Sequence, residues 1–214
     1  MKIRILTIGK LKEKYLVNGI NEYVKRLNAY CKVEMVEVPD EPIPDNASEN
    51  VENIIKDKEA DKIVSKIKDD EYVIVLDLHG KEIDSVAFSK HIEECMIKGK
   101  STITFVIGGS LGLGKSLLQR ADYRLCFSKM TFPHQLMKLI LVEQVYRAFK
   151  IMNNQRTISS LGFLQILIED KNIMNKAQWI HSELDGLLWL KIIYVVGIIF
   201  IELKRDEVKN VNKW

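Results

Sequence analysis

The sequence of 214 residues is poor in cysteine and in proline. Its three cysteines, Cys31, Cys95 and Cys126, are far apart and form no C-x-x-C pair, which excludes a disulfide framework and argues against a zinc site. Three of the four prolines lie between residues 39 and 46, so that stretch is predicted to be a loop. We therefore expect a globular protein whose cysteines are reduced.

A marked excess of charge is also absent. The formal net charge is +3, so the total carries no electrostatic signature of nucleic-acid binding, although basic patches can exist beneath it. The amino-terminal stretch MKIRILTIGKLKEKY has a short apolar run and no small-residue cleavage site, and it is predicted to be a first strand and not a signal peptide. Together with the cysteines, this predicts a cytoplasmic protein.

One long apolar run occurs, at residues 186–201, with the sequence GLLWLKIIYVVGIIFI. A membrane-spanning helix needs about twenty predominantly apolar residues, whereas this run has sixteen and is interrupted by Lys191. We favour an apolar appendage that packs on the protein or stays poorly ordered over a segment that spans the membrane.

The remaining pattern alternates between strand-like and helix-like stretches. Strand-like runs occur at residues 2–9, 32–38, 72–78, 102–108 and 123–128. Helical stretches occur at residues 14–29, 49–68, 85–98, 115–121 and 134–152. This alternation is typical of an α/β fold, with a mostly parallel sheet and helices on both faces.

The last helical stretch, HQLMKLILVEQVYRAFKIM, has apolar residues on more than one face. A surface helix needs only one apolar stripe. Burial within one subunit accounts for the pattern, and so does packing against a second copy of the chain. We favour the second explanation and a homodimer, because isologous pairs are the commonest oligomers.

Residues 109–116, GSLGLGKS, match the P-loop pattern G-x-x-x-x-G-K-[ST] between a strand and a helix. A P-loop nucleotide triphosphatase also needs a downstream acidic residue at a strand end to help hold magnesium. Asp77 lies upstream, and Glu169 and Asp170 follow a stretch without a clear strand pattern. The P-loop therefore stays a less favoured interpretation, and no metal site is predicted.

Ligands of open α/β sheets bind beyond the carboxyl ends of the strands. This rule brings Leu76, Gly108, Gly109 and residues 127–132 around one crevice. Its walls are apolar and its polar groups are mostly backbone, which suits an adenosine with a thioether or sulfonium tail better than a triphosphate. His134, next to this crevice, is either a ligand contact or a capping and packing residue.

Several motifs together resemble one family. They are MKI and IGKLKEKY near the start, then EYVKRL, VPDE, FVIGGSLGL, FSKMTFPHQL and EQVYRAFKI. From Met1 to about Met152, without a visible gap, the chain resembles the RlmH family, the 23S rRNA pseudouridine N3-methyltransferases of the SPOUT class. The glycine turn of that family includes Gly112, whereas Gly114, Lys115 and Ser116 lie outside its motif, so the P-loop match is interpreted as a coincidence.

The resemblance implies a SPOUT fold whose carboxyl-terminal part forms a trefoil knot, with S-adenosylmethionine as the cofactor held in the knot loops. It also implies a homodimer that acts on 23S rRNA within the assembled ribosome, with affinity from shape and from patches of basic residues. The candidate basic residues are Lys10, Lys12, Lys14, Lys25 and Arg26, and an ordinary solvated face is the default interpretation for each of the lysines. The implied cofactor contacts are Leu76, Gly108, Phe127, Ser128, Lys129, Met130, Thr131 and Phe132.

The chain departs from the family after Met152. The family ends soon after this helix with a basic, glycine-containing turn and a Tyr-His pair, whereas this chain reads Asn153, Asn154, Gln155 and continues to residue 214. We predict a methyltransferase domain at residues 1–152 and an atypical apolar extension at residues 153–214. No catalytic residue is assigned, and a catalytically impaired cofactor-binding variant is the alternative function.

Overall fold

The computed structural model describes residues 1–155 of the chain. Within them, the strands are β1 (Lys2–Ile8), β2 (Lys32–Val38), β3 (Tyr72–Glu82), β4 (Thr102–Ile107) and β5 (Tyr123–Cys126). The helices are α1 (Lys14–Leu27), α2 (Glu49–Val64), α3 (Ser85–Ile97), α4 (Lys115–Arg120) and α5 (His134–Met152). None of these helices has both the length and the apolar character that crossing a bilayer requires. The apolar run at 186–201 lies outside the described residues.

The strands form one parallel sheet in the order β2-β1-β4-β3-β5. The central strands β1 and β4 are almost fully buried, as their continuous apolar sequences predict for a sheet covered on both faces. This confirms the predicted α/β class, and each predicted strand and helix is present. The carboxyl ends of all five strands meet at the same edge of the sheet, which is where the crevice was expected.

Alternation along the strands divides the core into two layers. On one face, Leu6, Val73 and Val106 pack against Ile63 of α2 and Leu117 of α4. The strand residues between them point to the other face, which is covered by α1, α3 and α5. Both layers are apolar, so neither face of the sheet is left to solvent.

Strand β3 differs from its prediction. It was expected to end at residue 78, but it continues to Glu82 with a register shift against β5 between Leu76 and Lys81. The sequence did not indicate this extension, because the polar residues His79, Lys81 and Glu82 are typical of a loop. A side chain at Gly80 would lie 2.7 Å from the Arg124 carbonyl group, so glycine permits close packing where the two strands rejoin.

Helix α5 packs between α1 and α3. On its α1 side, the Tyr146 ring lies 5.8 Å from that of Tyr23, and Phe149 stacks on Tyr30 at the same centroid distance. Contacts within one chain therefore account for much of the apolar surface that favoured a homodimer. The homodimer stays a prediction.

A buried ionic cluster lies near the opposite, amino-terminal edge of the sheet. The Arg4 guanidinium donates to both carboxylate oxygens of Glu71 at 2.6 and 2.7 Å and to the Lys66 carbonyl at 3.0 Å. The Thr104 hydroxyl donates to the same carboxylate at 2.6 Å. Arg4, Glu71 and Thr104 are all buried, so this network joins β1, β4 and the segment before β3 in a low-dielectric setting.

Glu71→Ala is expected to lower the free energy of unfolding by about 3 to 5 kcal/mol, because it leaves the Arg4 charge buried without its main partner. Urea denaturation measures the change. The matched control is Glu94→Ala, which removes an exposed carboxylate that pairs with Lys98 at 3.7 Å, and it is expected to cost less than about 1 kcal/mol. Equal losses in the two variants would contradict the importance assigned to the buried cluster.

Candidate active site

A cavity of about 350 Å³ lies at the carboxyl ends of β3, β4 and β5. Three segments and the start of α5 form its walls. The lining residues are Leu76 to Leu78, Ile107 to Ser110, Gly112, Leu113, Leu125 to Ser128, Met130 to Phe132, His134 and Met137. Most of these side chains are apolar, and the cavity has the size of a small-molecule site.

The β4–α4 turn forms one wall through close backbone contacts. The Gly112 amide donates to the Gly109 carbonyl at 3.1 Å, and Gly112 has φ +92°, a conformation that favours glycine. A Cβ at Gly108 would lie 2.9 Å from the Gly112 carbonyl oxygen. The turn therefore closes on itself only because residue 108 has no side chain.

The β5–α5 loop forms the facing wall and is held by bonds to Ser128. The Cys126 thiol donates to the Ser128 carbonyl at 3.2 Å, and the Met130 amide donates to the Ser128 hydroxyl at 3.0 Å. The side chains of Met130 and Phe132 are exposed at the cavity, and so is that of Leu78, which lies at the register shift in β3. The rim of the cavity is therefore apolar.

Seven of the eight residues predicted as cofactor contacts line this one cavity: Leu76, Gly108, Phe127, Ser128, Met130, Thr131 and Phe132. The eighth, Lys129, is exposed and is not among the lining residues. Gly109 and His134 also line the cavity. The geometry brings these residues together, and their contact with a cofactor stays a prediction.

The sequence-based prediction did not assign several lining residues to the site, among them Asp77, Leu78, Cys126 and Met137. Asp77 directly follows Leu76 at a strand end, so the strand-end rule contained a signal for it. Its carboxylate accepts from Arg124 Nε at 2.6 Å and from the His79 amide at 3.0 Å. Met137 could not be assigned to the site from the sequence, because an apolar residue in a helix is normally predicted to pack in the core.

The charge of the cavity does not suit a triphosphate. No lysine or arginine occurs among the residues that line it, all of which belong to the described part of the chain. Phosphoryl-transfer sites place cationic side chains and a metal around the phosphates. A ligand with little net negative charge fits these walls better.

Helix α2 packs against the end of the segment that matches the P-loop pattern, residues 109–116. The Lys115 amide donates to the Asp57 carboxylate at 3.0 Å, and the Ser116 hydroxyl donates to Asp61 at 2.6 Å. A Cβ at Gly114 would lie 2.6 Å from the Lys56 carbonyl oxygen. Carboxylates of α2 thus hold the groups that a P-loop uses for phosphate and magnesium.

Comparison with known proteins gives the family. Residues 1–156 match the family model described as "Predicted SPOUT methyltransferase". The chain belongs to this family. It is 61% identical over 155 residues to ribosomal RNA large subunit methyltransferase H 1 of Clostridium perfringens, covering 72% of this chain and 98% of that protein. The corresponding protein of Enterococcus faecalis is 56% identical with the same coverage.

These matches identify the chain as a member of the RlmH family of rRNA methyltransferases, as the motifs predicted. They cover nearly the whole length of the relatives within the first 155 residues of this chain. Among solved structures, the SpoU methyltransferase AviRb of Streptomyces viridochromogenes, in complex with AdoMet, aligns with a TM-score of 0.37 and 13% identity. That alignment covers 72% of this chain and 58% of AviRb.

Magnesium-dependent ATP binding is expected to be absent, because α2 carboxylates engage the Lys115 amide and the Ser116 hydroxyl. Isothermal titration calorimetry with ATP, with and without magnesium, measures this. Magnesium-dependent binding that is lost in Lys115→Ala would contradict the assignment and restore the P-loop interpretation.

Proposed function

We propose that the chain transfers a methyl group from S-adenosylmethionine to N3 of a pseudouridine in 23S rRNA of the assembled ribosome. The observation that carries this proposal is the apolar cavity at the strand ends, in which seven residues of the family's implied cofactor set lie together. The rRNA methyltransferase family of the chain supports the same reaction class.

The chemistry of the cavity fits this cofactor. S-adenosylmethionine has no phosphate, so its binding does not require a lysine or arginine, and neither occurs among the described lining residues. Leu76, Phe127 and Phe132 offer apolar surface for an adenosine, and the close-packed turn at Gly108 presents backbone groups for its polar edge. When bound, the cofactor supplies the electrophilic methyl group.

The chain's own contribution is chiefly positioning. N3 of pseudouridine is an imide nitrogen that must lose its proton before it attacks a methyl carbon. Walls that exclude water and hold the two reactants in line account for much of the rate enhancement of such a reaction, since good alignment is worth effective molarities of about 10⁵ M or more. The exposed apolar rim of Leu78, Met130 and Phe132 is suited to receive a flipped base.

The family resemblance supports the remaining parts of the proposal. The chain acts as a homodimer in the cytoplasm, where ribosomes assemble, and its carboxyl-terminal loops form a trefoil knot. The domain ends near Met152, and residues 153–214 form an extension; residues beyond 155 lie outside the described part of the chain.

A specific observation favours the catalytically impaired alternative. Where the family has a glycine-containing turn and a Tyr-His pair, this chain has Asn154 at φ 52° and then Gln155, whose side chain accepts from the Tyr30 hydroxyl at 2.6 Å. Asparagine tolerates this left-handed conformation, so the turn is kept. The Tyr-His pair has no counterpart here, and its loss weakens methyl transfer in this alternative.

Ribosomes from a strain that lacks the native enzyme are expected to gain N3-methylpseudouridine when incubated with the chain and S-adenosylmethionine. Mass spectrometry of the digested rRNA measures the product. Cofactor binding without product would select the impaired variant, and the absence of cofactor binding would contradict the proposal.

The matched variants of this experiment are Gly108→Ala and Gly99→Ala. A Cβ at Gly108 collides with the Gly112 carbonyl and displaces the cavity wall, whereas a Cβ at Gly99 meets nothing within 4 Å. Overpacking costs about 1 to 3 kcal/mol, so Gly108→Ala is expected to raise the cofactor dissociation constant about ten- to a hundredfold. Gly99→Ala carries backbone strain at φ +76° but is expected to leave that constant unchanged.

Replacing everything after Met152 by the family's Arg-Gly-x-x-Tyr-His ending is expected to raise turnover on ribosomes with little change in cofactor affinity. General acid–base groups contribute about a hundred- to ten-thousandfold, which sets the largest expected gain. Single-turnover kinetics with both chains measures it. Equal turnover would show that the Tyr-His pair is dispensable here and would remove the impaired alternative.

A further inference from the structure

A loop with several lysines connects β1 to α1. Lys10, Lys12 and Lys14 are exposed, and none of them takes part in an ion pair within the described residues. Arg26, in the same basic set, is instead paired with Glu22 at 2.9 Å and lies over the Tyr23 ring. Lys10 and Lys12 of this loop and Lys14 at the start of α1 therefore carry charges that are available to a partner. Lys25, further along α1, is also exposed and takes part in none of the ion pairs of the described residues.

The loop is held in place by several hydrogen bonds to neighbouring elements although it has no regular structure of its own. Lys138 Nζ donates to the Gly9 carbonyl at 2.9 Å, the Leu11 amide donates to Glu37 Oε1 at 2.8 Å, and the Lys12 amide donates to Gln135 Oε1 at 3.1 Å. Gly9 turns the chain at φ +78°. These bonds fix the backbone on both sides of Lys10, so the loop is presented in one position.

Lys138 is the buried member of this arrangement. Its side chain is 1% exposed, and its ammonium group lies 3.6 Å from Glu37 Oε1, which also holds the Leu11 amide. Burial lowers the pKa of Lys138, and Glu37 acts in the opposite direction. A buried ammonium is costly unless it is bonded, and the bonds of this one go to the Gly9 carbonyl and the Glu37 carboxylate, both at the loop.

The first turn of α5 connects this loop to the cavity. Gln135 and Lys138 are three residues apart and share the helix face that holds the loop. His134 and Met137, each one residue earlier, line the cavity. A single helical turn therefore holds the lysine loop on one side and forms a cavity wall on the other.

We infer that the Gly9–Lys14 loop is a contact surface for rRNA phosphates beside the cavity, and that Lys138 is the positioning residue that holds it there. This inference rests on the proposed function, which supplies an rRNA substrate. Lysine binds phosphate as a point charge and carries no sequence information. The loop thus sets where the RNA backbone lies, and a base adjacent to the bound phosphates reaches the cavity.

The direct test is the affinity of the full chain for ribosomes that lack the modification, measured without a methyl donor over a series of salt concentrations. Lys10→Ala with Lys12→Ala is expected to weaken binding and to reduce the slope of log affinity against log salt by about 1 for each lysine. The matched control, Lys66→Ala with Lys68→Ala, removes two exposed lysines between α2 and β3, near the opposite edge of the sheet. It is expected to leave affinity and slope unchanged.

The role of Lys138 is tested by Lys138→Met, which keeps both loop lysines but removes the bond to Gly9. Its affinity for ribosomes is expected to fall, and Lys138→Arg is expected to restore most of it. Because Lys138 acts through the loop, adding Lys138→Met to the loop double variant is expected to weaken binding little further. A general loss of folding would instead add to the loop variant's loss and would appear in thermal unfolding.

Two results would overturn the inference: equal effects of the loop and control lysine pairs, or a Lys138→Met loss that adds fully to that of the loop variant. The loop variant changes only exposed side chains, so it stays informative if Lys138→Met does not fold. Failure of S-adenosylmethionine binding by the unaltered chain would contradict the proposed function alone, because ribosome affinity is measured without cofactor.

Discussion

The close contact between the β4–α4 turn and its neighbours is the constraint on which the candidate site depends. Gly108 lies against the Gly112 carbonyl, and Gly114 lies against the Lys56 carbonyl of α2, both too close for a Cβ. Helix α2 can approach the start of α4 only because Gly114 has no side chain. The contact at Gly108 shapes one wall of the cavity, and the contact at Gly114 brings Asp57 and Asp61 to the start of α4. The turn that lines the cavity and the helix start that resembles a P-loop are thus adjacent elements with separate glycine contacts.

Helix α5 joins the other half of the site to the core. Its first turn lines the cavity with His134 and Met137, while its later turns pack between α1 and α3. Aromatic contacts from Tyr146 to Tyr23 of α1, and from Tyr146 and Phe149 to Tyr30 just after α1, hold its far end. Because α5 is anchored along its length, it fixes one end of the loop at residues 127–132, and strand β5 fixes the other end.

Sequence patterns were sufficient for most of the fold, because strand-like runs alternate with helical stretches along the chain. They also located the cavity, since the strand-end rule selects Leu76 and Gly108. They failed at Lys138, because a lysine in a helix reads as a solvent-exposed residue, and its partner Gly9 is 129 residues away. They also did not predict the register shift in β3, where pairing with β5 extends the strand through residues 77–82 although several of these residues are polar. Long-range pairing of this kind has no local signature.

The small net charge and an RNA substrate are compatible once the location of the charges is considered. At the amino-terminal edge of the sheet, Arg4 is neutralised by Glu71, and Arg120 donates to the carbonyls of Lys68 and Glu71. These cations hold the structure together and are not available to a polyanion. At the carboxyl edge, the loop lysines are exposed. Lys138 is instead buried, and it holds the loop backbone by donating to the Gly9 carbonyl. Because exposed charges are screened beyond about 10 Å at moderate salt, the phosphate affinity proposed for this loop depends on the local arrangement of charges and not on the net charge of +3.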